Sequence, residues 1–271
     1  MFIIFGSPRS GTTLLSSILN SHSDVLIPDE TDFIVPILFI FDRIKDPNAG
    51  KNLIKNLITS STRFPFSIGE YISKEEVFKI IDDTEYVPSD ILNSIYQFMA
   101  TKHGKKIGAD KSPNDLFNFH MFLKEGVFDS DIKIIHIVRD VRDVFLSIRK
   151  TRFWLRNIEF CFPRKWSESN LLLYNVMKGN SKQYFFIKYE DLIGFPEDKL
   201  KEISKFIGIP FEKEILNFER RINRHQGEAH HLNVNKPFLE QRIGVWKKEM
   251  DRVTREMCET QAKECLELFK Y

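Results

Sequence analysis

Residues 2–13 read Phe-Ile-Ile-Phe-Gly-Ser-Pro-Arg-Ser-Gly-Thr-Thr, a short apolar run and a turn bounded by Gly6 and Gly11. Apolar residues then recur at helical spacing, at Leu14, Leu15, Ile18 and Leu19. A strand, a tight turn and a helix start aim successive backbone N–H groups at one point, where the helix dipole adds positive potential. The pattern predicts a phosphate-binding loop, although a tight turn with a Ser or Thr cap would explain each feature singly.

Short apolar runs that predict buried strands recur along the chain, at Phe2–Phe5, Val25–Ile27, Lys106–Ala109, Lys133–Val138 and Tyr184–Lys188. Helical periodicity separates them, at Thr12–Ser21, Ser89–Lys102, Asp140–Lys150 and Ser167–Lys178. This alternation indicates an α/β fold, a three-layer P-loop-type domain with a central parallel sheet and helices on both faces. We expect a single domain over residues 1–271, with a helical, cap-like segment at about 33–102, and ligands at the carboxyl ends of the strands.

Composition excludes several classes of protein. The 271 residues carry 40 Lys and Arg against 38 Asp and Glu, so a broad basic field for nucleic acid is not expected. The longest apolar run, Phe33–Phe41, contains Pro36 and is too short to span a membrane. The three cysteines lack metal-ligand spacing and suggest free thiols in a reducing compartment. With no basic leader, these features predict a cytoplasmic protein whose anion sites are local pockets.

The first loop departs from the nucleoside triphosphatase pattern at one position. The spacing matches G-x-x-x-x-G-K-[ST], but Thr12 stands where the lysine would reach the β- and γ-phosphates. A cation occurs three residues earlier, at Arg9. Transfer of a γ-phosphate is therefore disfavoured, and a P-loop nucleotide or small-molecule kinase is kept as the alternative.

A second candidate anion site follows the strand that ends at Val138. Arg139 leaves the carboxyl end of this strand, and Ser147 lies two turns into the following helix. A guanidinium offers a planar fork of donors that suits a phosphate. The alternative is a surface arginine paired with Asp140 or Asp143.

Together these motifs resemble the sulfotransferases that use 3′-phosphoadenylyl sulfate (PAPS), chiefly the bacterial, tyrosyl-protein and carbohydrate branches. The resemblance implies a 5′-phosphosulfate loop and a 3′-phosphate site made by Arg139 and Ser147, the loop residues being Arg9, Ser10, Gly11, Thr12 and Thr13. Tyr189, in Tyr-Glu-Asp-Leu, resembles the family's tyrosine near the nucleotide. Arg242 and Lys247 match the late R-x-G-x-W-K segment. The implied donor is PAPS, with no metal required.

The resemblance also suggests catalytic residues. Glu30 matches the proposed base of the tyrosyl-protein and glycosaminoglycan branches, with Asp29 as a competitor. Asp32 stands where the tyrosyl-protein branch has arginine, which argues against a peptide-tyrosine acceptor. Lys111, in Lys-Ser-Pro, resembles a lysine that assists at the sulfate or acceptor in carbohydrate sulfotransferases. The cytosolic small-molecule branch uses a histidine base. A histidine is therefore kept as an alternative base, although none of the candidates lies in a matching motif: His103, His120, His136, His230 and His231.

The sequence thus predicts transfer of a sulfuryl group from PAPS to a hydroxyl or amine, with Glu30 as base and Arg9 and Lys111 assisting. A nucleotide-binding regulatory protein is a further alternative. We expect a small-molecule, carbohydrate or lipid-like acceptor, contacted by segments 33–102 and 152–166, and no nucleic-acid partner. Residues 220–231 are interpreted as a surface loop. Neither the acceptor nor the oligomeric state can be predicted from the sequence.

Overall fold

Five parallel strands form the centre of the computed structural model, which describes residues 1–151, 159–217, 219 and 240–271. The strands are β1 (Phe2–Phe5), β2 (Val25–Leu26), β3 (Ile107–Asp110), β4 (Lys133–Val138) and β5 (Tyr184–Lys188). They lie in the order β2-β3-β1-β4-β5, so that β1 is flanked by β3 and β4. The predicted α/β fold with a central parallel sheet is confirmed.

Three strand boundaries differ from the prediction by one residue: β2 ends one residue early, and β3 begins and ends one residue late. Val25 pairs with Ile107 and Leu26 with Gly108, but the next amide, that of Ile27, donates to Asn20 Oδ1 at 2.8 Å. That side-chain bond replaces a ladder bond and ends β2 at Leu26. At its end β3 extends to Asp110, a fully buried carboxyl that apolar patterning does not include.

Helices surround the sheet: α1 (Thr12–Asn20), α2 (Ile34–Arg43), α3 (Pro47–Ser60), α4 (Lys74–Asp83), α5 (Pro88–Lys102), α6 (Phe119–Lys124), α7 (Val141–Thr151), α8 (Phe162–Met177), α9 (Tyr189–Gly194), α10 (Pro196–Ile207), α11 (Trp246–Glu249), α12 (Arg252–Gln261) and α13 (Lys263–Phe269). The four predicted helices correspond to α1, α5, α7 and α8. The start of α8 lies before the predicted one because Pro163 suits a first helical turn.

The alternation of β1 side chains shows why both faces are covered. Ile3 and Phe5 pack in a core with α2 to α6, whereas Phe2 and Ile4 pack in a second core with α1, α9 and α10. Successive residues of a strand point to opposite faces, so a fully apolar strand requires helices on both sides. A third core joins α7 and α8 to α12 and α13.

Residues 33–102 contribute α2 to α5 to the first core, and their role as a cap over a site stays a prediction. Residues 64–70 form two short 3₁₀ turns inside this segment rather than a helix. At the C-terminal end of the fold, α12 and α13 are separated at Ala262. Across the described ranges, the helices are too short or too polar to cross a bilayer.

Candidate functional site

The loops that follow the strands place the predicted residues along one edge of the sheet. Glu30 follows β2, Lys111 follows β3, Arg9 follows β1, Arg139 follows β4 and Tyr189 follows β5. Neighbouring strands are about 4.8 Å apart, so this order along the edge is also an order in space. These loops lie beside β1, where the strand order changes direction: β3 and β2 lie on one side of β1, and β4 and β5 lie on the other. Ligands usually bind at this position in such sheets.

The first loop is a tight turn with two left-handed residues. The Ser10 amide donates to Ser7 O at 3.1 Å, and the Ser7 and Ser10 hydroxyls are 2.5 Å apart. Arg9 has φ 72°, a conformation that is costly for a residue with a side chain. Gly11 has φ 96°, and a Cβ there would lie 2.5 Å from Tyr189 Cδ2, so only glycine fits at the start of α1.

The remaining loop residues differ in exposure. Thr12 is buried, whereas Thr13 is half-buried. Gly11 precedes α1 without a side-chain cap, which leaves the first-turn amides of this nine-residue helix facing the loop. Ser10 is fully buried and its hydroxyl is turned toward Ser7, so in this structure Ser10 builds the turn.

Arg9, Arg139 and Arg242, the arginine cluster, converge beside this loop. Arg9 Nε donates to Ser147 Oγ at 2.9 Å, although the sequence assigns these two residues to different phosphates. Arg139 donates to Arg9 O at 3.3 Å and to Arg242 O at 2.6 Å. Burial, and then the charges of Arg139 and Arg242, lower the pKa of Arg9.

Arg139 is half-buried, and its guanidinium is only partly hydrogen-bonded. Its Nε is buried and has no hydrogen-bond partner among the described residues. Its closest described carboxylate is Asp143, at 3.9 Å. Its guanidinium lies 4.4 Å from the ring centre of Tyr189, whose pKa is raised by burial. A buried donor without a partner is costly, and an oxyanion would satisfy it.

The late segment with Arg242 and Lys247 is attached to the start of α7. Asp143 accepts hydrogen bonds from the amides of Gly244 and Trp246. The Arg242 side chain is exposed, yet its charge adds to the burial that lowers the pKa of Arg9 and opposes the burial that raises the pKa of Tyr189, so its guanidinium lies near both residues. The Lys247 ammonium instead lies 5.8 Å from the ring centre of Trp246.

Glu30 and Lys111 form an ion pair on the other side of β1. Lys111 Nζ is 2.6 Å from Glu30 Oε1, and the side chains are 3% and 19% exposed. The residues next to this pair in the sequence, Thr31 and Asp110, are also in contact: Thr31 Oγ1 donates to Asp110 Oδ1 at 2.9 Å. The hydroxyl of Tyr96, on α5, donates to the same oxygen. Two contacts between the loops after β2 and β3 therefore fix Glu30 against Lys111.

Four acids form the carboxylate cluster: Glu30, Asp32 and Asp110 interact with Lys111, and Asp115 interacts with these three carboxyls. Burial raises the pKa of Asp32, and the Arg63 guanidinium 2.9 Å away opposes this rise. Burial raises the pKa of Asp115 well above its ordinary value, and the charges of the other three carboxyls add to it. Several acids in one enclosed space cannot all ionise at little cost.

The alternative bases have other partners. Asp29 Oδ1 accepts from the Glu30 amide at 2.7 Å. His136 is fully buried between Tyr184 OH, at 2.7 Å, and Asn170 Oδ1, at 2.8 Å, and burial lowers its pKa to about 4. The His103 ring nitrogen bonds to Tyr71 O at 3.0 Å, and His120 is exposed on α6. His230, His231 and the predicted surface loop at 220–231 lie outside the described residues, as do residues 152–158 of the second acceptor segment.

Sequence reasoning missed the residues that hold the site together. Asp143 was considered only as a partner of Arg139, with Asp140 as the other choice, but Asp140 pairs with Arg142 at 2.8 Å. Asp110 and Tyr96 were not singled out. The i, i+4 spacing of Arg139 and Asp143 could have drawn attention to Asp143. The acid that directly precedes Lys111 could have drawn attention to Asp110.

Fold and site together define an α/β protein with a glycine-bounded loop and a cluster of arginines at the carboxyl edge of its parallel sheet. A family model described as "Sulfotransferase family" matches residues 2–213, and the chain belongs to the sulfotransferase family. This membership agrees with Thr12 at the position of the kinase lysine. Among the residues whose placement is described, no group of His, Cys, Asp and Glu is arranged to hold a metal ion.

Curated relatives include a protein-tyrosine sulfotransferase of Drosophila melanogaster, 26% identical over 241 residues, covering 84% of this chain and 42% of the relative. Protein-tyrosine sulfotransferase A of Caenorhabditis elegans is 24% identical over 231 residues, covering 82% and 53%. The chain thus spans about half the length of these relatives.

Solved structures share the fold. The sulfotransferase domain of the Synechococcus PCC 7002 olefin synthase has a TM-score of 0.64 at 22% identity, covering 97% of this chain and 94% of that one. A mouse sulfotransferase complexed with PAP has a TM-score of 0.51 at 14% identity, covering 98% and 83%. At these identities the likeness establishes the fold alone.

Proposed function

We propose that this protein transfers a sulfuryl group from PAPS to an acceptor hydroxyl or amine. The observation that carries the proposal is the arginine cluster: two half-buried arginines and the exposed Arg242 converge beside a glycine-bounded loop, and the buried Arg139 Nε lacks a partner among the described residues. A donor with phosphates at both the 5′ and the 3′ position would engage the loop and the cluster together. Family membership favours such a donor over ATP.

The residues present fit this donor, which supplies an activated sulfuryl group. The loop amides of residues 10–13, with Arg9, would hold its 5′-phosphosulfate. Arg139 and Ser147 would hold its 3′-phosphate, with Arg242 and Lys247 as further cations and Tyr189 beside the nucleotide. The guanidiniums of the cluster would balance charge on this donor, and the proposed reaction requires no metal.

Glu30 would act as the general base. The acceptor's proton passes to Glu30, its electron pair forms a bond to sulfur, and the sulfur–oxygen bond to the phosphate breaks. Negative charge then develops on the leaving oxygen, which Arg9 and the loop amides can stabilise. Once Glu30 holds the proton, the Lys111 ammonium loses its counter-charge 2.6 Å away and becomes available to the transferring group.

The acceptor belongs to the side of the carboxylate cluster. We propose a small-molecule, carbohydrate or lipid-like acceptor contacted by residues 33–102. Asp32 is paired with Arg63 there, at 2.9 Å, which supplies a carboxylate where an acidic acceptor would need a cation. The unpaired thiols of Cys161, Cys258 and Cys265 favour a reducing compartment such as the cytoplasm.

Ligand-induced stabilisation tests the donor. We expect 3′,5′-ADP at a hundredfold excess over its Kd to stabilise the protein without metal by about 2.7 kcal/mol, roughly 5–10 °C in Tm. Mg-ATP should stabilise it far less, and the reverse order would contradict the proposal. Labelled PAPS, screened against hydroxyl and amine acceptors, then distinguishes transfer from a purely regulatory nucleotide-binding role.

A further inference from the structure

The Asp143 carboxylate binds the backbone of the segment 240–249. Its side chain is 1% exposed. Oδ2 accepts the amide of Gly244 at 2.7 Å, and Oδ1 accepts the amide of Trp246 at 2.9 Å. Each oxygen therefore serves one N–H group. The two amides lie more than a hundred residues away in the sequence. Because the buried carboxylate binds both of them, it fixes the position of that segment.

The segment is shaped to offer these amides. Gly244 has φ 69°, which a residue with a Cβ adopts only at a cost. Ile243 N donates to Glu240 O at 2.9 Å and Lys247 N donates to Gly244 O at 3.1 Å, so tight turns lie on both sides of the glycine. The turn therefore directs the Gly244 and Trp246 amides to the same side.

Trp246 anchors the segment independently of Asp143. Its ring centre lies 3.7 Å from the Arg142 guanidinium and 5.0 Å from that of Arg255. Arg142 is itself held by Asp140 and Glu259, each at 2.8 Å. The indole therefore interacts with two guanidiniums, and a change at Asp143 should move the segment without releasing it from the protein.

The other end of the segment reaches the arginine cluster. Arg242 O accepts from Arg139 at 2.6 Å, and the Arg242 charge lies close enough to Arg9 to lower its pKa. Asp143 is also 3.9 Å from Arg139, too far for a hydrogen bond. Its contacts thus favour holding the segment over neutralising Arg139.

We propose that Asp143 is a positioning residue that gives the protein its preference for a 3′-phosphorylated nucleotide. By binding the Gly244 and Trp246 amides it holds residues 240–249 against Arg139 and brings the Arg242 guanidinium to the 3′-phosphate. The inference rests on the proposed function, since it requires a nucleotide with a 3′-phosphate in the arginine cluster.

The test measures the affinities for 3′,5′-ADP and for 5′-AMP in the same variant, because their ratio isolates the 3′-phosphate. Asp143→Asn can serve only one amide and sets its NH₂ group against the other N–H. We expect the preference for 3′,5′-ADP to fall about fivefold in Asp143→Asn and about tenfold or more in Asp143→Ala, with 5′-AMP affinity nearly unchanged. Asp83→Asn, an exposed change at the end of α4, is the matched control.

A counter-ion role predicts the opposite sign. If Asp143 only neutralises Arg139, then Asp143→Asn frees the guanidinium and 3′,5′-ADP binds more tightly. That result, or an unchanged ratio, would overturn the inference. If the wild-type protein itself shows no preference for 3′,5′-ADP, it is the proposed function that fails.

Two further variants guard against misfolding. Gly244→Ala keeps Asp143 but strains the turn, and it should lower the same ratio. Arg242→Ala should weaken 3′,5′-ADP binding about tenfold in the wild type but less than about threefold in Asp143→Asn, because the guanidinium is already misplaced there. Equal losses in both backgrounds would mean that Asp143 does not position Arg242.

Discussion

The two sides of the site are built on opposite electrostatic plans. In the arginine cluster, three guanidiniums act on one another, and the described carboxylates that interact with Arg139 are Asp143, at 3.9 Å, and Glu190. In the carboxylate cluster, four acids lie close to one another, and one of them, Glu30, forms a 2.6 Å ion pair with Lys111. The arginine cluster therefore has more guanidiniums than neighbouring carboxylates, whereas the carboxylate cluster includes a cation, Lys111, that pairs with one of its acids. A net charge of +2 for the chain conceals this separation.

The difference matches what each side has to do. Arginines that repel one another are tolerable where a strongly anionic donor supplies the missing charge, and their mutual repulsion is relieved on binding. The proposed base, Glu30, is instead held in place by its 2.6 Å contact with Lys111. The arginine cluster is therefore expected to govern binding and the carboxylate cluster to govern the chemical step.

The largest effect is expected at Glu30. Glu30→Gln removes the base but keeps the size of the side chain, so kcat should fall about a thousandfold, within the usual contribution of a general base. The Kd for 3′,5′-ADP should stay within about threefold, since the arginine cluster is unchanged. Steady-state transfer and equilibrium titration measure the two quantities. Asp29→Asn tests the competing base: a loss there as large as in Glu30→Gln would transfer the role to Asp29.

His136 is expected to make the stability of the fold depend on pH in the acidic range. Burial lowers its pKa from 6.5 to about 4, so the unfolded chain takes up the proton first and the folded protein loses stability as pH falls from about 6.5 to 4. This difference between the pKa values of the unfolded and folded states corresponds to roughly 3 kcal/mol of unfolding free energy.

Raised pKa values at Asp110 and Asp115 act in the opposite direction, because protonation in the folded state stabilises it as pH falls. The measurement is therefore a comparison. Urea unfolding at pH 7.5 and 4.5 should show the stability advantage of the wild type over His136→Gln shrinking by about 2–3 kcal/mol. An advantage that does not change with pH would show that His136 is not the acid-sensitive group.

Arg139 should affect binding alone. Arg139→Ala removes the guanidinium whose Nε lacks a described partner, and 3′,5′-ADP affinity should fall about thirtyfold, the loss of one charge-assisted contact of about 2 kcal/mol. Binding of 5′-AMP should weaken much less, as isothermal titration can show. Equal weakening for both nucleotides would mean that Arg139 does not contact the 3′-phosphate.

The sequence allowed the fold and the edge of the site to be predicted because both depend on residue type. Continuous apolar runs indicated strands buried on both faces, and loops that begin where strands end positioned Arg9, Arg139 and Glu30. The contacts that hold these residues could not be predicted in the same way. Asp143 binds backbone amides, which every residue but proline has, and Arg9 bonds to Ser147 across 138 positions of the chain.

Thr31 offers the finest test of the carboxylate cluster. Thr31→Val removes the hydroxyl that donates to Asp110 at 2.9 Å while keeping the shape of the side chain. Tyr96 still donates to the same oxygen, so the loops after β2 and β3 should loosen rather than separate. We expect kcat to fall about three- to tenfold, because the Glu30–Lys111 pair is less well fixed, with unchanged 3′,5′-ADP affinity and about 1 kcal/mol less stability.

Thr59→Val is the matched control for this change. Thr59 is also buried, and its hydroxyl donates to Lys55 O at 2.8 Å within α3, so the same substitution removes one hydrogen bond away from the loops that hold Glu30 and Lys111. Both variants should lose similar stability in urea, but only Thr31→Val should lose turnover. Equal turnover in the two variants would show that the contact between Thr31 and Asp110 supports the fold without positioning Glu30, and the separation between a binding side and a reacting side would then rest on Glu30 and Lys111 alone.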